Sequence, residues 1–219
     1  MVMNQGELFE ERADNVGIKN APEGLAEIFE LSVDAYYAAL YAHMSELPIK
    51  GEISRFIAKV GKAKSRASAE KAAFDRSDPD VFTVLKAAGK VQHEIHRLQG
   101  LLRFSPNPAG EYIARCAPDH YVLPAIAEHF TLRFGENSWA IVDEKRKLRL
   151  SGGEGRAAGI TQEIKPSPKN SIEEGSNRDF WEDLWRLYHR SINIETRKNS
   201  GLQNQFMPKR YHKYLPELE

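Results

Sequence analysis

Apolar side chains recur at helical spacing along most of the chain. Residues three and four positions apart share one face of an α-helix, so each such stripe predicts a helix that packs one face on a core. Ser77-Asp78-Pro79 predicts the start of one of these helices, because Asp suits the N-cap and Pro suits the first turn. The stripes lie at 25–40, 53–60, 81–98, 123–134 and 181–192.

The middle of the chain has the patterns of strands. Leu101–Phe104 and Glu111–Ala117 flank a turn rich in Pro and Gly, which predicts a β-hairpin. Ser138–Asp143 is apolar on both faces and predicts an inner strand, whereas Lys147–Leu150 alternates and predicts a half-exposed strand. A small antiparallel sheet in the middle, bracketed by N- and C-terminal helices, indicates a mainly helical α+β fold.

Three segments are expected along the chain. Residues 1–20 are acidic and polar, and we expect them to be poorly ordered. Residues 21–76 form an N-terminal helical region, and residues 77–219 form an α+β core domain that ends in basic and aromatic helices. The first segment has no apolar run for a signal peptide or membrane span, so we expect a cytoplasmic protein without a membrane partner.

Charge and cysteine content narrow the possible chemistry. The 31 Lys and Arg residues balance 31 Asp and Glu residues, so only a local excess of charge can indicate nucleic acid. Cys116 is the only cysteine, whereas an iron–sulfur cluster needs about four cysteine ligands. His93 and His96 lack the spacing of a helical zinc motif, and no phosphate-binding loop is present. We therefore predict no metal and no cofactor.

Cations alternate with aromatic rings near the end of the chain, from Phe180 to Leu218. Cations attract phosphate, and rings offer faces on which unpaired bases can stack. Arg beside Phe also occurs earlier in the chain. The residues that this pattern predicts for nucleic-acid binding are Arg103, Arg133, Arg186, Arg190, Arg197, Lys209, Arg210, Tyr211, Lys213 and Tyr214, with Trp185 as a further ring. The alternative is a helix docked on the core, guanidinium groups paired with carboxylates, and a solvated basic tail.

A second set of polar residues could carry acid–base catalysis on a nucleic-acid base, if they converge in one pocket. The candidates are Glu94, His96, Asp119, His129 and Asp143. The alternative is that each is a satisfied polar group on a helix surface or in the core. Whether the chain is an enzyme is left open by the sequence.

Several short pieces follow one another over about residues 80–216. They include His93-Glu94-Ile95-His96-Arg97 with Gly100-Leu101-Leu102-Arg103-Phe104, Pro118-Asp119-His120, His129-Phe130 with Arg133-Phe134, Trp139 with Asp143, Leu184-Trp185 with Tyr188, and Met207-Pro208-Lys209-Arg210-Tyr211. In their order and spacing, these pieces resemble a bacterial family described as probable DNA metabolism protein, a domain of unknown function.

The resemblance implies a role beside a radical-SAM protein of DNA modification or repair. In some relatives a similar domain is joined to a uracil-DNA glycosylase-like domain. The implied function is a nucleic-acid-binding accessory protein that binds DNA, single- or double-stranded, and acts with the radical-SAM partner. The alternatives are an enzyme with glycosylase-like acid–base chemistry on a base, and a protein-docking scaffold that does not bind DNA.

Overall fold

The computed structural model describes residues 21–162 and 174–218, of which 174–179 and 195 are described by their backbone alone. The prediction for residues 1–20 lies outside these ranges. The chain divides into two compact units. Unit 1 comprises the chain up to His96 together with Asp119–Pro124, and unit 2 comprises Arg97–Pro118 and the chain from Ala125 onward.

Unit 1 is built from helices whose apolar stripes face one another. Ile28, Phe56 and Val84 are completely buried, as the helical spacing predicts. The helices are α1 Leu25–Leu31, α2 Val33–Met44, α3 Lys50–Gly61, α4 Arg66–Ala73 and most of α5, Pro79–Leu101.

One predicted helix is two helices in the structure. Ser32 separates α1 from α2 with an extended backbone, and its hydroxyl accepts the backbone N–H of Ala35 at 3.2 Å. Serine favours this capping role over the interior of a helix. The apolar stripe continues across the break, so spacing alone did not reveal it.

Helix α5 begins where the sequence predicts. The Asp78 carboxylate accepts the backbone N–H groups of Asp80 and Val81, at 2.8 and 3.1 Å, and Pro79 is the first helical residue. The helix passes Gly100 and ends at Leu101. It begins in unit 1 and ends in unit 2, whereas the sequence assigned all of it to the core domain.

Unit 2 contains a five-stranded sheet in the order β1-β2-β3-β4-β5. The α+β fold is thereby confirmed. All five residues of β3 are buried, as predicted for an inner strand. The strands are β1 Ser105–Pro106, β2 Tyr112–Cys116, β3 Trp139–Asp143, β4 Leu148–Gly153 and β5 Arg156–Gln162.

The sheet is mixed, not purely antiparallel as predicted. The β1–β2 hairpin is confirmed, although β1 lies at 105–106 instead of 101–104. Strand β2 pairs with β3 in parallel, because helix α6, Leu123–Phe134, lies between them in the chain and returns it to the same end of the sheet. The remaining pairs, β3 with β4 and β4 with β5, are antiparallel.

The C-terminal part of unit 2 closes over the start of the sheet. Tyr211, Leu215 and Pro216 are buried and fix the end of the chain. None of the helices in the described ranges has the length and hydropathy that crossing a membrane requires. The elements here are α7 Glu174–Ile192, α8 Ser200–Phe206, and 3-10 turns at Glu195–Arg197, Lys209–Tyr214 and Pro216–Leu218.

Candidate nucleic-acid-binding cleft

A cleft of about 700 Å³ opens in unit 2. Its walls come from the segment 100–108, strand β2, the end of α6, helix α7 and the last turns of the chain. Four cations and two carboxylates line it, so its lining is positively charged although the chain as a whole is neutral. The ionisable residues are Arg103, Arg115, Arg133, Lys213, Glu144 and Glu182, and the rings are Phe104, Tyr112, Phe134, Trp181, Trp185 and Tyr214.

The rings from the hairpin and from α6 form one cluster. Phe104 lies 4.7 Å from Phe134 and 5.2 Å from Phe130, measured between ring centres, and Tyr112 lies 5.5 Å from Phe134. The helical stripe of α6 directs Phe130 and Phe134 to the same side, four residues apart. Phe130 is buried, whereas Phe104, Tyr112 and Phe134 keep part of their surface exposed in the cleft.

Glu217 joins two walls of the cleft. Arg103 donates to one of its carboxylate oxygens at 2.6 Å, and the indole N–H of Trp185 donates to the other at 2.8 Å. The Arg103 guanidinium also lies 4.9 Å from the centre of the Trp185 ring. Burial alone would raise the pKa of Glu217, but the hydrogen bonds and charge of Arg103, with the bond from Trp185, hold this pKa below its ordinary value.

A second carboxylate, Glu144, binds two lining residues near the end of the chain. The Tyr214 hydroxyl donates to Glu144 at 2.6 Å, and the Lys213 ammonium donates to the same oxygen at 3.2 Å. Burial and this hydrogen bond raise the pKa of Tyr214. Burial also favours neutral Glu144, but the bonds from Tyr214 and Lys213 prevail and lower its pKa. The Lys213 side chain is still 62% exposed and can reach a ligand.

Arg133 is exposed in the last turn of α6. It forms no ion pair with any carboxylate of the described residues. A guanidinium that is held by no carboxylate can bind phosphate without first breaking an existing pair. Arg133 is therefore the cation of the cleft best placed to bind an anion.

The structure gathers some of the predicted nucleic-acid-binding residues and separates others. Arg103, Arg133, Lys213 and Tyr214 line the cleft. Arg186 is bound to Glu182 and Asp183 and donates to the carbonyl of Pro216. The remaining predicted cations, which lie outside the lining and are exposed, are Arg190, Arg197, Lys209 and Arg210.

Tyr211 has a structural position. Its side chain is 2% exposed, and the Arg210 guanidinium lies 4.8 Å from its ring centre. A base cannot stack on a ring that is covered by the core. The binding surface proposed below therefore does not include Tyr211.

The predicted acid–base residues do not line the cleft. In unit 1, Glu94 is buried, and its two carboxylate oxygens accept the backbone N–H groups of Asp119 and His120, at 2.9 and 2.8 Å. These bonds fix the segment after Pro118 to helix α5. His96, two residues further along α5, is exposed.

In unit 2, Asp143 is completely buried and holds the turn between β3 and β4. It accepts the backbone N–H groups of Lys145 and Arg146, and the Arg146 guanidinium lies 2.9 Å away. His129 packs edge-on against Phe130 at 4.8 Å, and its buried Nε2 has no partner among the described residues. Within residues 21–162 and 174–218, no three His, Cys, Asp or Glu side chains form a metal-binding group.

Seven charged or aromatic lining residues were not identified as site residues from the sequence: Phe104, Tyr112, Arg115, Phe134, Glu144, Trp181 and Glu182. Strand alternation was the available signal for Arg115, because Ala114 and Cys116 on the other face of β2 are buried. Trp181 was assigned to a core-facing stripe, but it is 43% exposed. The contribution of Glu144 depends on Lys213 and Tyr214, which are distant in sequence, so no local pattern identified it.

Comparison with known proteins gives a family and no named relative. No curated protein and no solved structure matches the chain significantly. The family model of the domain of unknown function DUF4130 matches residues 51–217, about three quarters of the chain. The matched region contains every residue that lines the cleft. The chain therefore belongs to the DUF4130 family.

Proposed function

We propose that the chain is a nucleic-acid-binding accessory protein and that the cleft of unit 2 is its binding surface. The observation that carries this proposal is the combination of four cations and six aromatic rings in one cleft of about 700 Å³. Nucleic-acid phosphates bind cations, and bases stack on aromatic side chains.

The resemblance to the DNA metabolism family supports DNA modification or repair as the setting. In this proposal the radical-SAM partner supplies the chemistry, and this chain supplies contacts to DNA. The contacts of Glu94 and Asp143 support a non-catalytic role for both residues, because their carboxylates are already used to hold backbone turns.

Fluorescence anisotropy with labelled single- and double-stranded DNA at two salt concentrations tests the proposal. Arg133→Ala removes an exposed cation of the cleft. It should weaken binding and reduce the magnitude of the salt slope by about one, the value for one phosphate contact.

Arg76→Ala is the matched control, because Arg76 is also exposed and forms no ion pair with the described residues but lies in unit 1. It should leave binding unchanged. The proposal is wrong if no DNA binds at low salt, or if the two variants weaken binding equally.

A specific observation favours protein docking as a second function. Helix α7 exposes several large apolar side chains, including Leu187 at 64% and Ile192 at 55%. Exposed apolar patches on a protein mark interaction sites. The resemblance names the partner that this proposal commits to, the radical-SAM protein.

Size-exclusion chromatography of the two purified proteins tests docking. Leu187→Glu should abolish co-elution with the radical-SAM protein, because a carboxylate would be desolvated in the interface. Leu132→Glu is the control, since Leu132 is exposed on α6 and not on α7. Equal co-elution of both variants with the partner would exclude α7 as the docking surface.

A further inference from the structure

We propose that the cleft receives one or two unpaired nucleotides of a single strand and excludes duplex. This inference rests on the proposed function and specifies the class of nucleic acid. It follows from the size of the cleft, the exposure of its rings and the placement of its cations.

The size of the cleft sets the number of nucleotides. Cavities of about 300–1,000 Å³ enclose ligands of the size of a small organic molecule. The 700 Å³ of this cleft falls in that range, which suits one or two nucleotides. A duplex is much wider, since its major groove alone measures about 12 Å across. A duplex can therefore contact only the rim.

The aromatic rings of the cleft can stack only on unpaired bases. In a duplex, neighbouring base pairs cover both faces of each base, whereas the bases of a single strand can separate and stack on side chains. Trp181 and Trp185 both line the cleft and keep part of their surface exposed. Because every base has a flat face, such stacking tolerates any sequence.

Trp185 is positioned before any ligand arrives. Its indole N–H donates to Glu217 at 2.8 Å. The Arg103 guanidinium lies over the Trp185 ring and donates to the same carboxylate. A side chain fixed in this way loses little further conformational freedom when a base stacks on it. Trp185 therefore forms a preorganised stacking surface.

The cations lie where the phosphates of such a strand can be bound. Arg133 on α6 is exposed, and Lys213 near the chain end is mostly exposed. They belong to different walls of the cleft, so a strand can contact both. A free mononucleotide has one phosphate group, so it cannot bind both cations at once in the way that the linked phosphates of a strand can.

Tryptophan fluorescence gives a direct test. The chain has three tryptophans, and Trp139 is completely buried while the other two line the cleft. Stacking of a base in the cleft should therefore quench the fluorescence of Trp181 and Trp185. The full chain is titrated at low salt with thymidine monophosphate, with the di-, tetra- and octanucleotides of thymidine, and with a blunt-ended DNA hairpin.

We expect quenching by the oligonucleotides, with affinity that rises up to the tetranucleotide and then changes by less than about threefold. The hairpin should bind at least about tenfold more weakly and should not quench. Trp181→Leu should weaken binding of the tetranucleotide about tenfold. Phe180→Leu is the matched control, because Phe180 is adjacent and exposed but does not line the cleft, and it should bind normally.

The outcomes separate this inference from the proposed function. If no DNA binds at all, both are wrong. If the hairpin binds as tightly as the tetranucleotide, or if DNA binds without quenching, the proposed function stands and this inference is wrong. Equal affinity for the monophosphate and the tetranucleotide would assign the cleft to free nucleotides and would also overturn this inference. Equal losses of tetranucleotide affinity in Trp181→Leu and Phe180→Leu would overturn it as well.

Discussion

At the residue scale, a few buried carboxylates determine the geometry around the cleft and the adjoining turns. Glu217 is the clearest case, because its side chain is 2% exposed and it binds both Arg103 and Trp185. A buried carboxylate is stable as an anion only when such donors replace water. The same carboxylate therefore contributes to stability and to the position of a cleft ring.

Replacement of Glu217 by Gln should make stability less dependent on pH. The pKa of Glu217 is lowered in the folded protein, so its ionised form stabilises the fold above the ordinary carboxyl pKa of about 4.3. That stabilisation is lost as the pH falls through the lowered pKa. Glu217→Gln should therefore be less stable than the wild type near neutral pH, and the difference should shrink in acid.

Urea unfolding of both proteins across this pH range measures the difference. Glu136→Gln is the control, because Glu136 is exposed and lies outside the cleft lining. A difference between Glu217→Gln and the wild type that stays constant with pH would contradict the assignment.

A substitution at Glu94 tests whether this residue has a structural or a catalytic role. Both of its oxygens accept backbone N–H groups, so Glu94→Gln places an amide N–H₂ against a backbone donor in a buried site. An unsatisfied buried polar group costs about 1–3 kcal/mol. We expect a loss of unfolding free energy of that size, measured by urea denaturation, with DNA affinity unchanged. Normal stability with altered action on DNA would instead favour the catalytic interpretation.

At the element scale, local patterns predicted where helices and strands lie better than they predicted which elements pair with one another. The cap at Asp78, the inner strand β3 and the β1–β2 hairpin were predictable because a few neighbouring residues determine each. The parallel pairing of β2 with β3 was not, since it depends on the path of α6 between them. Strand β5 was also missed, because Arg156–Gln162 has little of the apolar alternation typical of strands.

The apolar stripe of α7 shows the same limit in another way. Its spacing predicts a helix, and the helix is present, but most of its large apolar side chains are exposed. Periodicity indicates which residues share a face and does not identify what that face contacts. Trp181 lines the cleft for this reason, although its stripe predicts a core-facing position. Trp185, which the sequence predicts as a ring for nucleic-acid binding, lines the cleft as well.

The C-terminal 3-10 turn should be a structural anchor of unit 2. Tyr211 is buried within it, so Tyr211→Ala should remove a large packed ring and lower the unfolding free energy by about 3–5 kcal/mol, the usual range for large aromatic residues. Tyr188→Ala on α7 is the matched control, because Tyr188 is 52% exposed, and it should change stability little. Equal urea midpoints for the two variants would contradict the anchoring role.

At the scale of the whole molecule, charge balance conceals a local positive surface. The chain carries no net charge, yet the cleft lining holds four cations against two carboxylates. Several exposed cations of the C-terminal segment lie outside that lining, so two surfaces could attract DNA. The salt dependence of binding distinguishes them, because each phosphate contact on a single strand adds about −0.7 to the slope of log affinity against log salt.

Binding through the cleft limits this slope. With at most four lining cations, we expect a slope no steeper than about −3 for a short single strand, measured by anisotropy over a salt series. Combined replacement of Arg190, Arg197 and Lys209 by Ala should leave the slope unchanged, because these exposed cations lie outside the cleft lining. A flatter slope in this triple variant would instead assign the phosphate contacts to the C-terminal basic segment, as the sequence pattern alone suggests, and would leave the rings of the cleft without a strand to bind.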